Sequence, residues 1–196
     1  MKLNRRNFIS ASAGIAATIS SPMVFGASRP KVVVIGGGAG GATAARYIAK
    51  DSKGAIDVTL VEPTRSYYTC FFSNLYLGGF RDFDSIGHSY GKLASDYGIN
   101  VVHDWAVDVD SSGKTVSLAG GGTVNYDKLI LSPGIDFVDN SVPGWDLSSQ
   151  NKMPHSYKAG SQTQLLNAQI ENMRQGGTYC MVCLLYTSPS PRDSDT

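Results

Sequence analysis

The sequence predicts an α/β fold built on a parallel sheet, and three observations predict it. A continuous β-branched run, "KVVVI" at Lys31–Ile35, has the pattern of a strand buried on both faces. It stops at the glycine cluster "GGGAGG", where a helical pattern begins. A second apolar run, "IDVTLVE" at Ile56–Glu62, follows that helix. Strand, helix and strand make one βαβ unit, whose crossover is expected to be right-handed.

Within this unit, Gly36, Gly38 and Gly41 fit G-x-G-x-x-G. The first glycine is expected to make a tight turn, the second to let backbone approach a pyrophosphate closely, and the third to permit close helix-to-strand packing. Ala39 and Gly40 stand at the helix start, where free N–H groups and the helix dipole favour negative charge. An acid roughly 20 residues further on, at the end of the next strand, is what ribose hydroxyls require, and Glu62 stands there. The residues therefore point to dinucleotide binding; the alternative is a glycine-rich loop that merely permits close packing. Ala39, Ala42, Ala44, Ala45, Tyr47 and Ile48 are expected on the strand-facing side of the helix.

Beyond Glu62, the chain reads as irregular from Pro63 to Phe80, then helical from about Asp84 to Tyr97, with Gly98 as the stop. "INVVHDWAVDVD" reads as one strand running into a turn. "KTVSLAGGGTVNYDKLILSPG" predicts a small meander turning at Gly120–Gly122, then a buried strand "KLILS" that breaks at Pro133 and Gly134. That break is expected to bring backbone near a bound ligand, with a plain turn as the alternative. Leu165, Leu166, Ala168, Ile170 and Met173 predict an amphipathic helix stopped at Gly176–Gly177, and "TYCMV" begins a further strand.

Composition narrows the function classes. The chain has 196 residues and a formal charge of +1, enough for one ordinary domain and without the basic stripe that nucleic acid requires. Three cysteines at unrelated spacings make no disulfide framework, so any redox role rests on individual positions. His88, His103 and His155 show no ligand spacing, and no metal site is expected. No C-x-x-C-H occurs, so a haem would have to be carried by another chain.

The first 28 residues read as an address. Arg5, Arg6 and Phe8, an Ala/Ile/Ser-rich run and small residues at Gly26–Ser28 resemble a twin-arginine export signal, which predicts a periplasmic protein. An uncleaved anchor is the alternative. The run from Ile9 to Phe25 is short and diluted by Ser and Thr against the ~20 apolar residues a spanning helix needs. No stable membrane insertion is therefore expected after cleavage.

The order of glycine fingerprint, meander and closing strand ending in Pro-Gly resembles the FAD-binding half of flavoproteins with two dinucleotide-binding domains. The fold expected is thus a Rossmann-like FAD-binding domain, a parallel sheet with a β-meander, over residues 29–182. More narrowly, "KVVVIGGGAGGATAARYI", "VEPTRSYYTCFFSNLYLGG", "YGINVVHD", "YDKLILSPGIDF" and "MPHSYKAGSQTQLL" resemble the flavoprotein subunit of flavocytochrome c, a sulfide dehydrogenase.

The resemblance implies FAD as cofactor, sulfide as substrate and a c-type cytochrome subunit as partner. It also implies an 8α-S-cysteinyl bond from the flavin ring to the cysteine of "YYTCFFSN", which is Cys70 here. A thiolate is a strong nucleophile for the electrophilic position of an oxidised flavin, in keeping with that role. Spacing alone leaves the other reading, a buried cysteine acting as a small hydrophobe. The resemblance further sets Ala106 and Val107 against the adenine, with ordinary core positions as the alternative. Tyr67, Tyr68, Phe71 and Phe72 are expected to pack around the flavin loop, with an electron path as the alternative.

The redox cysteine pair implied by that family has no counterpart in this chain, so no catalytic residue is assigned. The last stretch, "CLLYTSPSPRDSDT" at 183–196, resembles translated sequencing-adapter bases, which makes Cys180-Met181-Val182-Cys183 an accidental C-x-x-C. The expectation is an N-terminal, incomplete part of the flavoprotein, itself inactive. Alternatives are a sulfide:quinone oxidoreductase, a generic FAD-dependent disulfide oxidoreductase, and a non-catalytic FAD-binding fragment.

Overall fold

The computed structural model describes residues 28–140 and 143–181. The expected export signal, apart from Ser28, and the adapter-like tail with Cys183 lie outside the described residues. The chain opens with strand β1 (Lys31–Ile35), helix α1 (Ala39–Ser52) and strand β2 (Asp57–Val61). β1 and β2 pair in parallel with Val34 opposite Leu60, so the βαβ unit forms where the β-branched runs predict it. The packed side of α1 is Gly41, Ala45 and Ala49, one residue every helical turn, whereas Ala39 and Tyr47 are exposed. Those two positions depart from the expected strand-facing set, because a helix of this pitch can turn only a narrow stripe toward a sheet.

The stretch expected to be irregular is ordered in short pieces. β3 (Ser66–Tyr68) leads into a 3-10 turn at Cys70–Phe72 and the short helix α2 (Ser73–Leu77). β4 (Gly87–Ser89) then pairs antiparallel with β3, setting Tyr67 opposite His88. Helix therefore does not run from Asp84: Phe83–Ile86 is a 3-10 turn that buries Ile86, and α3 spans only Gly91–Tyr97 before the expected stop at Gly98. Gly87 and Gly91 weaken helix at this point, and pairing with the aromatic β3 wins.

"INVVHDWAVDVD" likewise divides in two. β5 (Asn100–Val102) joins the parallel sheet beside β2, while β6 (Ala106–Asp110) belongs to a separate meander with β7 (Thr115–Leu118) and β8 (Thr123–Asn125). The switch occurs at Asp104, whose carboxylate accepts from the N–H of Trp105 at 2.7 Å and of Gly120 at 3.0 Å. Those bonds turn the chain out of one sheet and tie the start of the meander to its Gly120 turn.

β9 (Lys128–Leu131) returns to pair with β1, completing the order β5-β2-β1-β9. The sequence predicts it to be buried, yet it is an edge strand of this sheet and Leu131 is 64% exposed. The last helix, α4, spans Ser161–Glu171 and buries Thr163 and Leu166, with Ala168 and Met173 exposed. Residues 178–181 form no strand, contrary to the reading of "TYCMV". A strand needs an edge to pair with, and apolar content alone does not supply one.

Both faces of the parallel sheet are covered, as its continuous hydrophobic strands demand. Val32, Val34, Val58 and Leu60 pack against Ala45 and Ala49 of α1, with Tyr90 and Ile99 alongside. Val33 and Val61 face the other way, onto Val116 of the meander. Val34 and Leu60 are fully buried, each contributing about 1.5–3 kcal/mol as an upper bound. The sheet is thereby fixed between two layers, and its carboxyl ends carry the loops described next.

Candidate functional site

The glycine turn between β1 and α1 is held by backbone at its first and third glycines. Gly36 donates its N–H to the Val61 carbonyl at 2.9 Å and adopts φ +97°, a conformation few residues other than glycine tolerate. A Cβ there would also lie 2.0 Å from the Ser132 carbonyl oxygen, and one on Gly41 would lie 1.8 Å from the Gly36 carbonyl oxygen. The first and third glycines thus do what the spacing predicted: one makes the turn, and the other lets the helix close on it.

Gly38 differs. It is the N-cap of α1, with φ −66°, and a Cβ there would meet only the Tyr67 ring edge at 3.8 Å, an ordinary contact. Protein packing does not require a glycine at this point. The first intrahelical bond runs from the Ala42 N–H to the Gly38 carbonyl at 3.0 Å, so the N–H groups of Ala39, Gly40 and Gly41 have no helical acceptor. Ala39 and Gly40 are exposed, no side chain caps the helix, and no acid lies in its first turn. This end of α1 combines partial positive charge, donors and open space, which is what a phosphate needs.

Glu62 stands beside the turn. One carboxylate oxygen accepts from the Gly37 N–H at 2.7 Å; the other accepts from the Thr64 N–H at 2.9 Å and the Thr64 hydroxyl at 2.6 Å. The acid is therefore anchored at the loop rather than swinging free. Behind it, Tyr90 is 5% exposed and donates its hydroxyl to the Gly37 carbonyl at 3.1 Å. His103 Nδ1 donates to the Glu62 carbonyl at 3.1 Å. Burial, then the negative charge of Glu62, pushes the Tyr90 phenol up to about 12 against the opposing effect of a Thr64 side-chain hydrogen bond, so the hydroxyl stays protonated.

Gly37, Thr64, Tyr90 and His103 were not among the residues singled out from sequence. Thr64 carried a readable signal, a hydroxyl two residues past an acid, where local side-chain bonds form readily. Tyr90 carried none, since its contact spans the whole βαβ unit. His103, which shows no ligand spacing in the sequence, makes a hydrogen bond to backbone.

The hairpin of β3 and β4 leads from Tyr67, beside Gly38, to Cys70 three positions on. Thr69 is buried, donates its N–H to the Ile86 carbonyl at 2.9 Å and accepts from Phe71 N at 3.4 Å, which fixes the turn. Cys70 is a free, exposed thiol, so the reading of a buried small hydrophobe is overturned. Tyr68 stacks on Phe83 at 4.6 Å as packing predicts. Phe71, by contrast, is 72% exposed, and Phe72 lies under the Arg81 guanidinium at 4.7 Å.

Pro133 follows the Ser132 carbonyl that abuts Gly36, and its Cα would lie 3.4 Å from a Cβ there, so the end of β9 flanks the turn. Gly134 has φ +80° and open space around it. Ala106 is half-buried and packs against the Val33, Val61 and Val116 cluster, while Val107 is 61% exposed. The structure thus brings Gly36–Gly41, Glu62 and Pro133 together, with Cys70 on the adjoining hairpin and Ala106 in the adjoining core.

A cavity of about 650 Å³ lies elsewhere, between residues of the Phe137–Tyr157 segment and α4. His155 faces Phe137 there at 4.4 Å; burial, then the nearby Lys158 charge, lowers its affinity for a proton against the pull of Asp136. Among the described residues, no helix is long and apolar enough to cross a membrane.

Comparison with known proteins agrees with this geometry. The family model for pyridine nucleotide-disulphide oxidoreductases matches residues 30–174. The sulfide dehydrogenase (flavocytochrome c) flavoprotein chain of Chlorobaculum thiosulfatiphilum is 54% identical over 44 residues, which is 22% of this chain and 90% of that sequence. The sulfide-quinone reductase of Aquifex aeolicus is 31% identical over 105 residues, 53% of this chain but 24% of the relative. The crystal structure of the sulfide:quinone oxidoreductase from the same bacterium superposes with a TM-score of 0.58 at 22% identity, covering 73% of this chain and 33% of that one. At that identity the superposition establishes the fold, and the chain spans about a quarter to a third of these longer proteins. With its strand–glycine turn–helix unit, its parallel sheet and a family match over most of its length, the chain belongs to the pyridine nucleotide-disulphide oxidoreductase family.

Proposed function

We propose that this chain is the FAD-binding part of an exported sulfide dehydrogenase flavoprotein, with FAD bonded to Cys70 and a c-type cytochrome as electron acceptor. The residues present fit the cofactor. The open N-terminus of α1, at Gly38, Ala39 and Gly40, suits the pyrophosphate, and the anchored Glu62 carboxylate suits the ribose hydroxyls. Pro133, Gly134 and Ala106 would border it. When bound, the flavin supplies a two-electron acceptor.

The observation that supports the reading is Cys70 of the "YYTCFFSN" motif, an exposed thiol two residues past β3, the strand whose Tyr67 ring faces Gly38. Together with 54% identity to a flavocytochrome c flavoprotein chain, this supports the covalent, cytochrome-linked branch. The twin-arginine pattern at Arg5 and Arg6 supports the periplasm as its compartment. One observation favours a second reading: the match to a sulfide-quinone reductase extends over more of the chain, which favours a quinone as acceptor.

The test is intact mass and in-gel flavin fluorescence of the full-length gene product and its Cys70→Ser variant. An FAD-sized adduct that disappears in the variant supports the proposal. Flavin released from the parent on denaturation moves the assignment to the quinone-linked branch.

A further inference from the structure

We propose that Tyr90 is a positioning residue for the phosphate-binding end of α1: its buried hydroxyl holds the Gly37 carbonyl inward and thereby turns the Gly38 N–H outward. The inference rests on the dinucleotide reading above and adds to it a residue that belongs to no glycine motif. Gly37 has both of its polar groups engaged, its N–H by Glu62 at 2.7 Å and its carbonyl by Tyr90 at 3.1 Å. The Gly37 carbonyl and the Gly38 N–H belong to one planar peptide group, which is trans, so they point in opposite directions. Anchoring the carbonyl in the core therefore sets the direction of the donor at the mouth of the helix.

The fit around this peptide leaves little play. A Cβ on Gly37 would lie 2.7 Å from the Tyr90 hydroxyl and 2.8 Å from Glu62 Cγ, so the three residues interlock. Tyr90 is itself immobilised in the core cluster with Val34, Leu60 and Ile99. It also meets the His103 ring at 6.0 Å, and His103 holds the backbone of Glu62. A glycine turn with no side chains of its own is thus given a rigid backing, and donors that need no reorganisation bind an anion more tightly.

The experiment uses the full-length protein carrying Cys70→Ser, so that flavin binding is reversible, with and without Tyr90→Phe. FAD is titrated by fluorescence quenching, and ADP and adenosine are titrated as competitors. Losing the hydroxyl is expected to weaken FAD and ADP by about five- to tenfold, while adenosine, which lacks the pyrophosphate, changes by less than about twofold. Ile99→Val trims the same cluster without touching the hydroxyl, and all three affinities are expected to stay at the parent values.

Equal FAD and ADP affinities in Tyr90→Phe and parent overturn the inference and leave the dinucleotide reading standing. A parallel loss for adenosine, or the same losses in Ile99→Val, also overturns it, because Tyr90 would then act through general packing. A parent that binds neither FAD nor ADP removes the dinucleotide reading, and this inference falls with it.

Discussion

The carbonyl oxygen of Ser132 occupies the space beside Gly36 so closely that a Cβ on the glycine would lie 2.0 Å from it. The end of the last sheet strand and the first glycine of the turn are therefore mutually exclusive with any side chain. Gly36→Ala also imposes φ +97° on alanine, which by itself costs about 1–3 kcal/mol, and the backbone clash adds to that. The expected outcome is loss of the cooperative urea transition or of soluble protein, followed by circular dichroism.

Gly38→Ala has the opposite expectation. Its Cβ would find only the Tyr67 ring at 3.8 Å, and φ −66° suits alanine, so stability should stay within about 1 kcal/mol of the parent. FAD binding in the full-length protein should nonetheless fall by at least about tenfold, because in the proposed site the methyl would stand in the path of the pyrophosphate. Urea denaturation and flavin titration on the same sample check both halves. Unchanged binding would favour the reading in which the glycines serve packing alone.

Glu62→Gln replaces one acceptor oxygen by a donor amide. Gly37 and Thr64 between them present three donors to the carboxylate, so the amide nitrogen must face at least one of them. The expected cost is about 1–3 kcal/mol, read as a lower urea midpoint together with weaker FAD binding.

His155 predicts a pH dependence. Burial first, then repulsion from Lys158, holds its pKa below the usual histidine value, with Asp136 opposing. Between the folded and unfolded pKa values the unfolded chain binds more protons, so stability rises with pH across that window and is lost as pH falls below about 6.5. Asp136 does not reverse this trend: burial pushes its carboxyl up, but the hydrogen bonds from Lys158 and the Phe137 N–H, together with the charges of Lys158 and His155, outweigh that and hold it below its ordinary value, under the histidine window. The melting temperature at about pH 5.5 should lie below that at about pH 7.5, and His155→Asn should reduce the difference.

How much of this is legible in the sequence depends on distance along the chain. The β1–α1–β2 unit is legible because its signals are local: β-branched residues in one run, glycines at fixed offsets, and an acid at the next strand end. The β3–β4 hairpin is not, because its stability comes from pairing Tyr67 with His88 across an intervening turn and helix. The division between β5 and β6 is hidden as well, because Asp104 makes it by reaching Gly120, in a turn not yet formed when the strand is read alone.

The sequence by itself determined that a parallel α/β sheet would form and where its glycine turn would lie; it pointed to Glu62 by spacing, and to Cys70 only through the family resemblance. Side-chain volume, backbone freedom and hydrophobic period are properties of short segments, and those features depend on little else. Only the tertiary structure decided which glycines the protein needs for its own packing and which one it leaves open. It also decided that Cys70 is exposed, and that Tyr90 and His103 hold the turn and the acid from behind. Each of these depends on atoms from distant segments meeting within a few ångströms, and such meetings exist only once the chain has closed on itself.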